Sequence, residues 1–284
     1  MKKVWLLPVL HVFFACSAFF SGYIIIVSKN LADPLLPYIS DGGAYPPESG
    51  IFGQMLNIAA VFLAIVTYIR YQKLEVFYNY NKTETLWTKL NTILLVLGWI
   101  SSFGMSVVAN FQEFSIPMMH VIGAMLAFFS ALLYVWGHIL LLLLTKKPRL
   151  TPKWMIILRI CLATISLISL IFHLITQWSF AFVEKNDNGL YPTLPPNDGI
   201  EQYPKNSPFY TRHLVTTFSE WILVLSLEAH FLSYSFELKD FMANIITVEY
   251  RGIPTDNGDR FDIRTNQFVI RQSKLFDTKV VTHI

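Results

Sequence analysis

Residues 117–144 read PMMHVIGAMLAFFSALLYVWGHILLLLL, 28 residues without a single Asp, Glu, Lys or Arg. A helix needs about 20 mainly apolar residues to cross roughly 30 Å of hydrocarbon. A run of this length therefore predicts a membrane-spanning helix, which makes its backbone hydrogen bonds within its own segment. The same criterion selects five more stretches, at about 5–27, 51–71, 91–110, 154–180 and 212–236.

The composition of the whole chain is that of a membrane protein. Of its 284 residues, 54% are apolar and 14% are charged, whereas a soluble domain carries about 25% charged residues. The spans predict an all-α fold, a polytopic membrane protein with a six-transmembrane-helix bundle over residues 1–240. The mixed polar tail, 241–284, has too little apolar surface for a domain and is expected to be largely disordered.

Charge and cysteine content exclude two further classes. The net charge is only +3, and no basic run is long enough for a phosphate-binding stripe, so no nucleic-acid partner is predicted. Cys16 and Cys161 both lie inside apolar runs, which argues against a disulfide framework in the loops. The partner that the composition does predict is the lipid bilayer.

Basic residues are distributed unequally between the two sides of the predicted spans. Seventeen of the 22 Lys and Arg residues fall on the side that holds both termini, and four fall on the other side: Lys29, Lys185, Lys205 and Arg212. The positive-inside rule therefore places both termini in the cytosol. Arg159, inside the fifth span, is expected to snorkel to the membrane edge. The sequon Asn81-Lys82-Thr83 is expected in the cytosol, without a glycan.

The opposite side of the membrane then holds the loops at about 28–50, 111–116 and 181–211. In the first of these loops, the sequence restricts the backbone conformation. Its four prolines exclude a helix, and the sequence Asp41-Gly42-Gly43 is typical of a turn. Glu48 or Ser49 can cap the helix that follows. Two interpretations remain open, a rigid connector or a folded plug that serves as a recognition surface. An acid–base pair of Asp41 and Glu48 is disfavoured, because no nucleophile or metal site accompanies it.

Polar side chains inside spans are costly in lipid, so each suggests a function or a contact between helices. Those singled out are Asn57, Asn110, Glu113, His173 and Glu220. Glu220 lies at a depth similar to that of His173 and Gln177, which predicts a packing bond to the fifth span, with a proton or ion path as the alternative. Asn57 is placed to bond a neighbouring helix. No His pair at metal-site spacing occurs, so no catalytic residue, metal or cofactor is predicted.

Three groups of residues carry a resemblance to a known family. The first loop contains Pro37-Tyr38-Ile39-Ser40-Asp41, then Gly43, Pro46-Pro47-Glu48 and Ile51-Phe52-Gly53. The third span ends in Val108-Ala109-Asn110-Phe111-Gln112-Glu113, and the last span contains Glu220-Trp221. Over about residues 1–240 this pattern resembles the Frag/DRAM/Sfk superfamily, most closely its DRAM (damage-regulated autophagy modulator) branch. Gly42 stands where relatives commonly have Thr.

The resemblance implies a six-helix, non-enzymatic protein of lysosomal or late endosomal membranes that promotes autophagy and lysosomal or endosomal traffic. Sister branches are similar to plasma-membrane scaffolds for phosphatidylinositol 4-kinase, or to Golgi factors that act in lipid and GPI-anchor remodelling. Both alternatives stay open, because the first-loop signature is shared. A channel or transporter is also weighed, although no span shows a broken-helix pattern.

The tail carries two short motifs that suggest cytosolic adaptor or scaffold proteins as partners. Tyr250-Arg251-Gly252-Ile253 fits the sorting signal that clathrin adaptors read through Tyr250 and Ile253, unless this stretch extends the last helix as an amphipathic segment. Tyr71-Gln72-Lys73-Leu74 has the same pattern, but it abuts the second span. Thr282 and Ile284 at the C-terminus resemble a PDZ-domain ligand, which is captured as an added strand.

Overall fold

The computed structural model of the chain describes residues 3–80, 85–144, 151–193, 199–239, 260–262 and 267–269. Within these residues lie seven helices: α1 Leu6–Ser28, α2 Glu48–Tyr80, α3 Thr85–Asn110, α4 Pro117–Leu144, α5 Lys153–Trp178, α6 Tyr210–Leu232 and α7 Tyr234–Leu238. A 3-10 turn, Ser40–Gly43, lies between α1 and α2. The helices belong to one compact unit, Lys2–Met242.

The second unit, Ala243–Ile284 together with Met1, contains two short strands. Strand β1, Arg260–Asp262, pairs antiparallel with β2, Gln267–Val269, and Phe261 lies opposite Phe268. The strands coincide with the alternating polar and apolar residues of the tail sequence. The sequon at Asn81 and the tail motifs at Tyr250, Ile253, Thr282 and Ile284 lie outside the described residues.

Five helices are long and apolar enough to cross a membrane, namely Leu6–Ser28, Glu48–Val76, Leu86–Asn110, Pro117–Leu144 and Lys153–Trp178. Prolines mark the start of two of these helices: Pro117 opens α4 at the first helical position, and Pro152 immediately precedes α5. At these positions a missing backbone N–H costs nothing. These helices confirm the prediction of a helical, multi-pass membrane protein. Helices α2 and α3 extend beyond the predicted spans 51–71 and 91–110, because a helix does not have to stop where its apolar run stops.

Helix α6 differs from these five because its polar residues face inward. Its 23 residues span about 34 Å at 1.5 Å per residue. Glu220, Glu228 and His230 are buried. The helix exposes a stripe of large apolar residues instead: Phe218, Ile222, Leu225 and Leu232. The polar residues on its inner face explain why a criterion of length and hydropathy selects the other five helices and not α6.

The sixth predicted span, 212–236, corresponds to α6, which ends at Leu232, and to the start of α7, which follows after Ser233. The Ser233 hydroxyl donates to the His230 carbonyl at 2.6 Å, a local bond that competes with helix continuation. The Arg159 guanidinium also donates to the Ser233 carbonyl at 3.2 Å. Both bonds mark the break between the two helices.

Consecutive helices pack side by side, and α6 closes the bundle against α1. Small residues allow close approach: a Cβ on Gly104 of α3 would lie 2.4 Å from the backbone nitrogen of Ala127 in α4. The three loops predicted to share one side meet at one end of the bundle, where Tyr45 of the first loop stacks on Phe114 of the second. This end is called the first-loop end below.

Candidate functional site

The first loop, residues 29–47, folds into the helical unit instead of lying over it. Its 3-10 turn buries Asp41 to 1% exposure. The Asp41 carboxylate accepts a hydrogen bond from the Tyr38 amide at 2.9 Å, which closes the turn on itself. Gly42 rests directly on Gly22 of α1, and a Cβ on Gly42 would lie 2.8 Å from the Gly22 Cα atom. With the α1 backbone in this position, a side chain at residue 42 would require the loop to shift.

The folded loop is hydrogen-bonded to α6 through two consecutive side chains. The Ile39 amide donates to Oε2 of Glu220 at 3.1 Å. The Trp221 indole donates to the Pro37 carbonyl at 2.9 Å. The first-loop signature and the Glu-Trp pair, about 180 residues apart in the chain, are thus two halves of one contact, called the loop–α6 clasp below.

The predicted bond between Glu220 and the fifth span was therefore wrong. Glu220 binds the loop backbone, while the His173 ring lies 3.3 Å from the Thr216 carbonyl and the Gln177 side chain accepts from the Tyr38 hydroxyl at 3.2 Å. The nearest donor belongs to an amide of the inserted loop.

The remaining signature residues support the loop and the start of α2. Glu48 lies in the first turn of α2, where a carboxylate is favourable, and pairs with Lys29 at 2.8 Å. Gly43 lies against the Phe52 ring, which is buried, and a Cβ there would approach it to 2.6 Å. A Cβ on Gly53 would lie 2.6 Å from the Ala109 carbonyl oxygen. Pro46 and Pro47 are exposed, and Ser40 starts the turn.

The amide side chains of α2 and α3 bind each other, so Asn57 makes a contact between helices, and its partner, Asn110, was not predicted. Asn57 donates to the Asn110 side-chain carbonyl at 3.2 Å, and Asn110 donates back at 3.0 Å. The Ser106 hydroxyl adds a bond to Asn57 at 2.7 Å. This reciprocal pair fixes the first-loop ends of both helices relative to each other.

A polar pocket of about 50 Å³ opens beside the clasp. It is lined by Tyr38, Asp41, Glu113, Phe114, Gln177, Glu201 and Arg212. Glu113, expected among the intramembrane residues, lies in the connection after α3, which ends at Asn110. The Arg212 guanidinium is bound to the carbonyls of Thr176 and Gln177 at 2.7 and 3.0 Å.

Burial raises the pKa of Asp41 well above its ordinary range. The charges of Glu113 and Glu220 raise this pKa further, whereas the bond from the Tyr38 amide lowers it. Burial raises the pKa of the Tyr203 hydroxyl to about 12, with the nearby Glu201 acting in the same direction. The first-loop end therefore favours the protonated form of Asp41 in the folded protein.

A second polar cluster lies at the opposite end of the bundle, around Glu237 of α7. The Glu237 carboxylate binds Arg70 and Lys73, each at 2.9 Å, the Thr151 hydroxyl at 2.8 Å, and the Arg159 guanidinium. The snorkelling expected of Arg159 was wrong, since this side chain is 1% exposed. A buried carboxylate supplies the counter-charge that the membrane edge was expected to supply.

Sequence reasoning missed Glu237 and also His11. His11 Nε2 lies 3.2 Å from Oε2 of Glu228, and the imidazole packs edge-on against Phe231. The sequence marks such residues as charged or titratable side chains inside or beside an apolar run. This pattern identifies the residue but not its partner. Among the described residues, no group of three His, Cys, Asp or Glu side chains is arranged to hold a metal ion.

Comparison with known proteins agrees with this architecture. Residues 3–241 match the family described as the Frag1/DRAM/Sfk1/Cwh43P N-terminal domain. The chain is 34% identical to DNA damage-regulated autophagy modulator protein 2 of Mus musculus over 246 residues, which cover 86% of this chain and 85% of that protein. It is 31% identical to DNA damage-regulated autophagy modulator protein 1 of Homo sapiens over 248 residues, or 86% and 93% of the two chains.

A third relative is the modulator of macroautophagy TMEM150B of Danio rerio, 35% identical over 161 residues, which cover 56% of this chain and 66% of that protein. No solved structure matches. The family match spans the whole helical unit and includes both halves of the loop–α6 clasp. This chain therefore belongs to the Frag1/DRAM/Sfk1 family of multi-pass membrane proteins.

Proposed function

We propose that this protein is a non-enzymatic regulator of autophagy and lysosomal or endosomal traffic, embedded in the lysosomal or late endosomal membrane. The observation that carries the proposal is the family match over residues 3–241, together with relatives whose names describe modulators of autophagy. The engagement of Asp41, Glu220 and Trp221 in loop contacts fits a structural role for them.

Loss of the protein is the test of this function. In cells that lack it, the turnover of a lipidated autophagosome marker should fall, and the wild-type chain should restore it. Imaging of the protein tagged at its native level should place it with lysosomal and late endosomal markers. Unchanged turnover in the deficient cells would contradict the proposal, and a plasma-membrane or Golgi location would favour the roles of the sister branches.

In our proposed topology α6 is the sixth span, so both termini lie in the cytosol. Its length and its exposed apolar stripe support a span, and the excess of Lys and Arg on the side of the termini supports the orientation. A tag placed after Ile284 should be digested by protease added to the cytosolic side, and Asn81 should carry no glycan. A protected tag, or a glycan that Asn81→Gln abolishes, would contradict this topology.

The proposed cytosolic partners are sorting adaptors that read Tyr250 and Ile253, and a PDZ-domain scaffold that reads Thr282 and Ile284. Replacing Tyr250 with Ala should increase the surface-biotinylated fraction without lowering the total amount. Tyr71→Ala is the matched control, because Tyr71 lies within α2 and cannot adopt the extended form that an adaptor binds. Equal surface levels for Tyr250→Ala and wild type would remove the sorting signal from the proposal.

A further inference from the structure

A cavity of about 90 Å³ lies among the described helices and is bordered by the loop–α6 clasp. Its walls are mainly aromatic and aliphatic, with Phe19 from α1, Phe52 and Leu63 from α2, Phe128 from α4 and Phe231 from α6. A single water needs only about 10–15 Å³ of such space, and apolar cavities of larger size stay dry and take up apolar molecules. The cavity has room for a ring or a short alkyl segment.

Two of the three neutral polar groups of the cavity wall have already used their hydrogens, and the third, the Ser40 hydroxyl, can donate or accept. The Ser101 hydroxyl donates to the Ala127 carbonyl at 3.0 Å. The His120 Nδ1 atom lies 2.8 Å from the Phe111 carbonyl, and since a carbonyl only accepts, the ring N–H must lie on Nδ1. Ser101 and His120 therefore each retain only acceptor capacity toward a further partner when the imidazole is neutral.

Two carboxylates of α6 complete the polar part of the wall, Glu220 and Glu228. They lie eight positions apart, and therefore about 12 Å apart along the helix. Glu220 uses one oxygen to accept from the Ile39 amide, and Glu228 faces His11 at 3.2 Å. The His11 Nδ1 atom lies 2.9 Å from the Ala59 carbonyl, so a proton between His11 Nε2 and Glu228 occupies Oε2 and leaves the other oxygen of Glu228 as an acceptor.

The wall of the cavity is thus apolar over most of its area and offers hydrogen-bond acceptors at most of its polar points. A molecule that complements it must be largely apolar and must bring the donors itself. A carboxylate or phosphate group would face the acceptor oxygen of Glu228, and two acceptors with no hydrogen between them repel. An alkyl chain with a hydroxyl or ammonium group meets both requirements, because each supplies the missing hydrogens.

We propose that this cavity binds a small lipophilic molecule, or the end of a lipid, whose polar group is a hydrogen-bond donor, either a hydroxyl or a protonated amine. The apolar part lies among Phe52, Phe128 and Phe231, and the donor meets a carboxylate of α6. The site is separate from any partner of the tail and does not depend on the role in autophagy.

Photolabelling of the full chain in lipid nanodiscs tests the proposal. The probes are octylamine, octanol and octyl methyl ether, each carrying a diazirine at the far end of the chain. The ether keeps the octyl chain and an acceptor oxygen but has no donor. Octylamine and octanol should label cavity-lining peptides of α4 and α6 well above the ether. If the ether labels those peptides as strongly as the other two, or if no probe labels them, the proposal is wrong.

Two variants locate the labelling within the cavity. Ala124 lines it, so Ala124→Phe should fill the space and reduce labelling by octylamine and octanol to the ether level. Leu133→Phe is the matched control on α4, since Leu133 is 59% exposed and does not line the cavity. Glu228→Gln removes charge without changing volume and should weaken octylamine labelling about tenfold, the loss expected for one charge-assisted bond. Labelling that survives both Ala124→Phe and Glu228→Gln would place the probes elsewhere and refute the site.

Discussion

Replacement of Glu220 measures how much the clasp contributes to the stability of the bundle. Glu220→Leu leaves the buried Ile39 amide without its acceptor, which now lies at 3.1 Å. An unsatisfied buried donor costs about 1–3 kcal/mol. Glu220→Gln keeps a carbonyl oxygen in the same place as the acceptor, so its cost should be about 1 kcal/mol or less.

The assay is thermal unfolding of the purified full chain in detergent, together with its steady-state abundance in cells. Glu220→Leu should unfold at a clearly lower temperature than Glu220→Gln. Gln177→Leu is the control, because Gln177 was a predicted partner of Glu220 on α5. The Gln177 side chain accepts an exposed bond from the Tyr38 hydroxyl, so Gln177→Leu should change the stability little. Equal stabilities of Glu220→Leu and wild type, or equal losses for Glu220→Leu and Gln177→Leu, would refute the clasp.

Three further predictions concern the loop and the opposite end of the bundle. Gly42→Ala should lower the unfolding temperature because its Cβ would meet the backbone of Gly22 at 2.8 Å, an overpacking cost of about 1–3 kcal/mol; an unchanged transition would show that the loop can move away freely. The folded state raises the pKa of Asp41, so the stabilising contribution of Asp41 is full at acidic pH and is lost as the pH rises through the raised pKa. Between acidic and neutral pH, the unfolding temperature should therefore fall less in Asp41→Asn than in wild type. Identical pH profiles of the two proteins would contradict this. Glu237→Gln should reduce abundance and stability severely, by about 3–5 kcal/mol, because it weakens the charge balance of three buried cations. Glu184→Gln, which changes an exposed loop carboxylate, should have no measurable effect.

The sequence was sufficient for the helices because membrane insertion depends on length and composition. The 28 residues of α4 could be placed from their apolar character alone, and a bond from Asn57 to a neighbouring helix could be anticipated because polar side chains in spans bond across helices. The resemblance identified Glu220 and the first-loop signature separately. It did not show that they touch, since nothing in their spacing relates an amide in a loop to a carboxylate about 180 residues later.

The polar interior could not be predicted in the same way. Arg159 has the length to reach the membrane edge, and only the position of Glu237 in α7 decides that it stays buried. The apolar outer stripe and polar inner face of α6 similarly require the neighbouring helices to be in place before Glu220 and Glu228 have partners. Such contacts depend on packing in three dimensions, which hydropathy along the chain does not contain.

Hydrogen–deuterium exchange of residues 37–44 most directly tests whether the first loop is a structural part of the bundle. The Ile39 amide is bound to Glu220 and the Tyr38 amide to Asp41, so peptides that cover this segment should exchange as slowly as helical peptides of α1. Glu220→Leu should accelerate the exchange of this segment, while α4 remains protected. Rapid exchange of residues 37–44 in the wild-type protein, at the rate of an open surface loop, would contradict the clasp and the folded loop together.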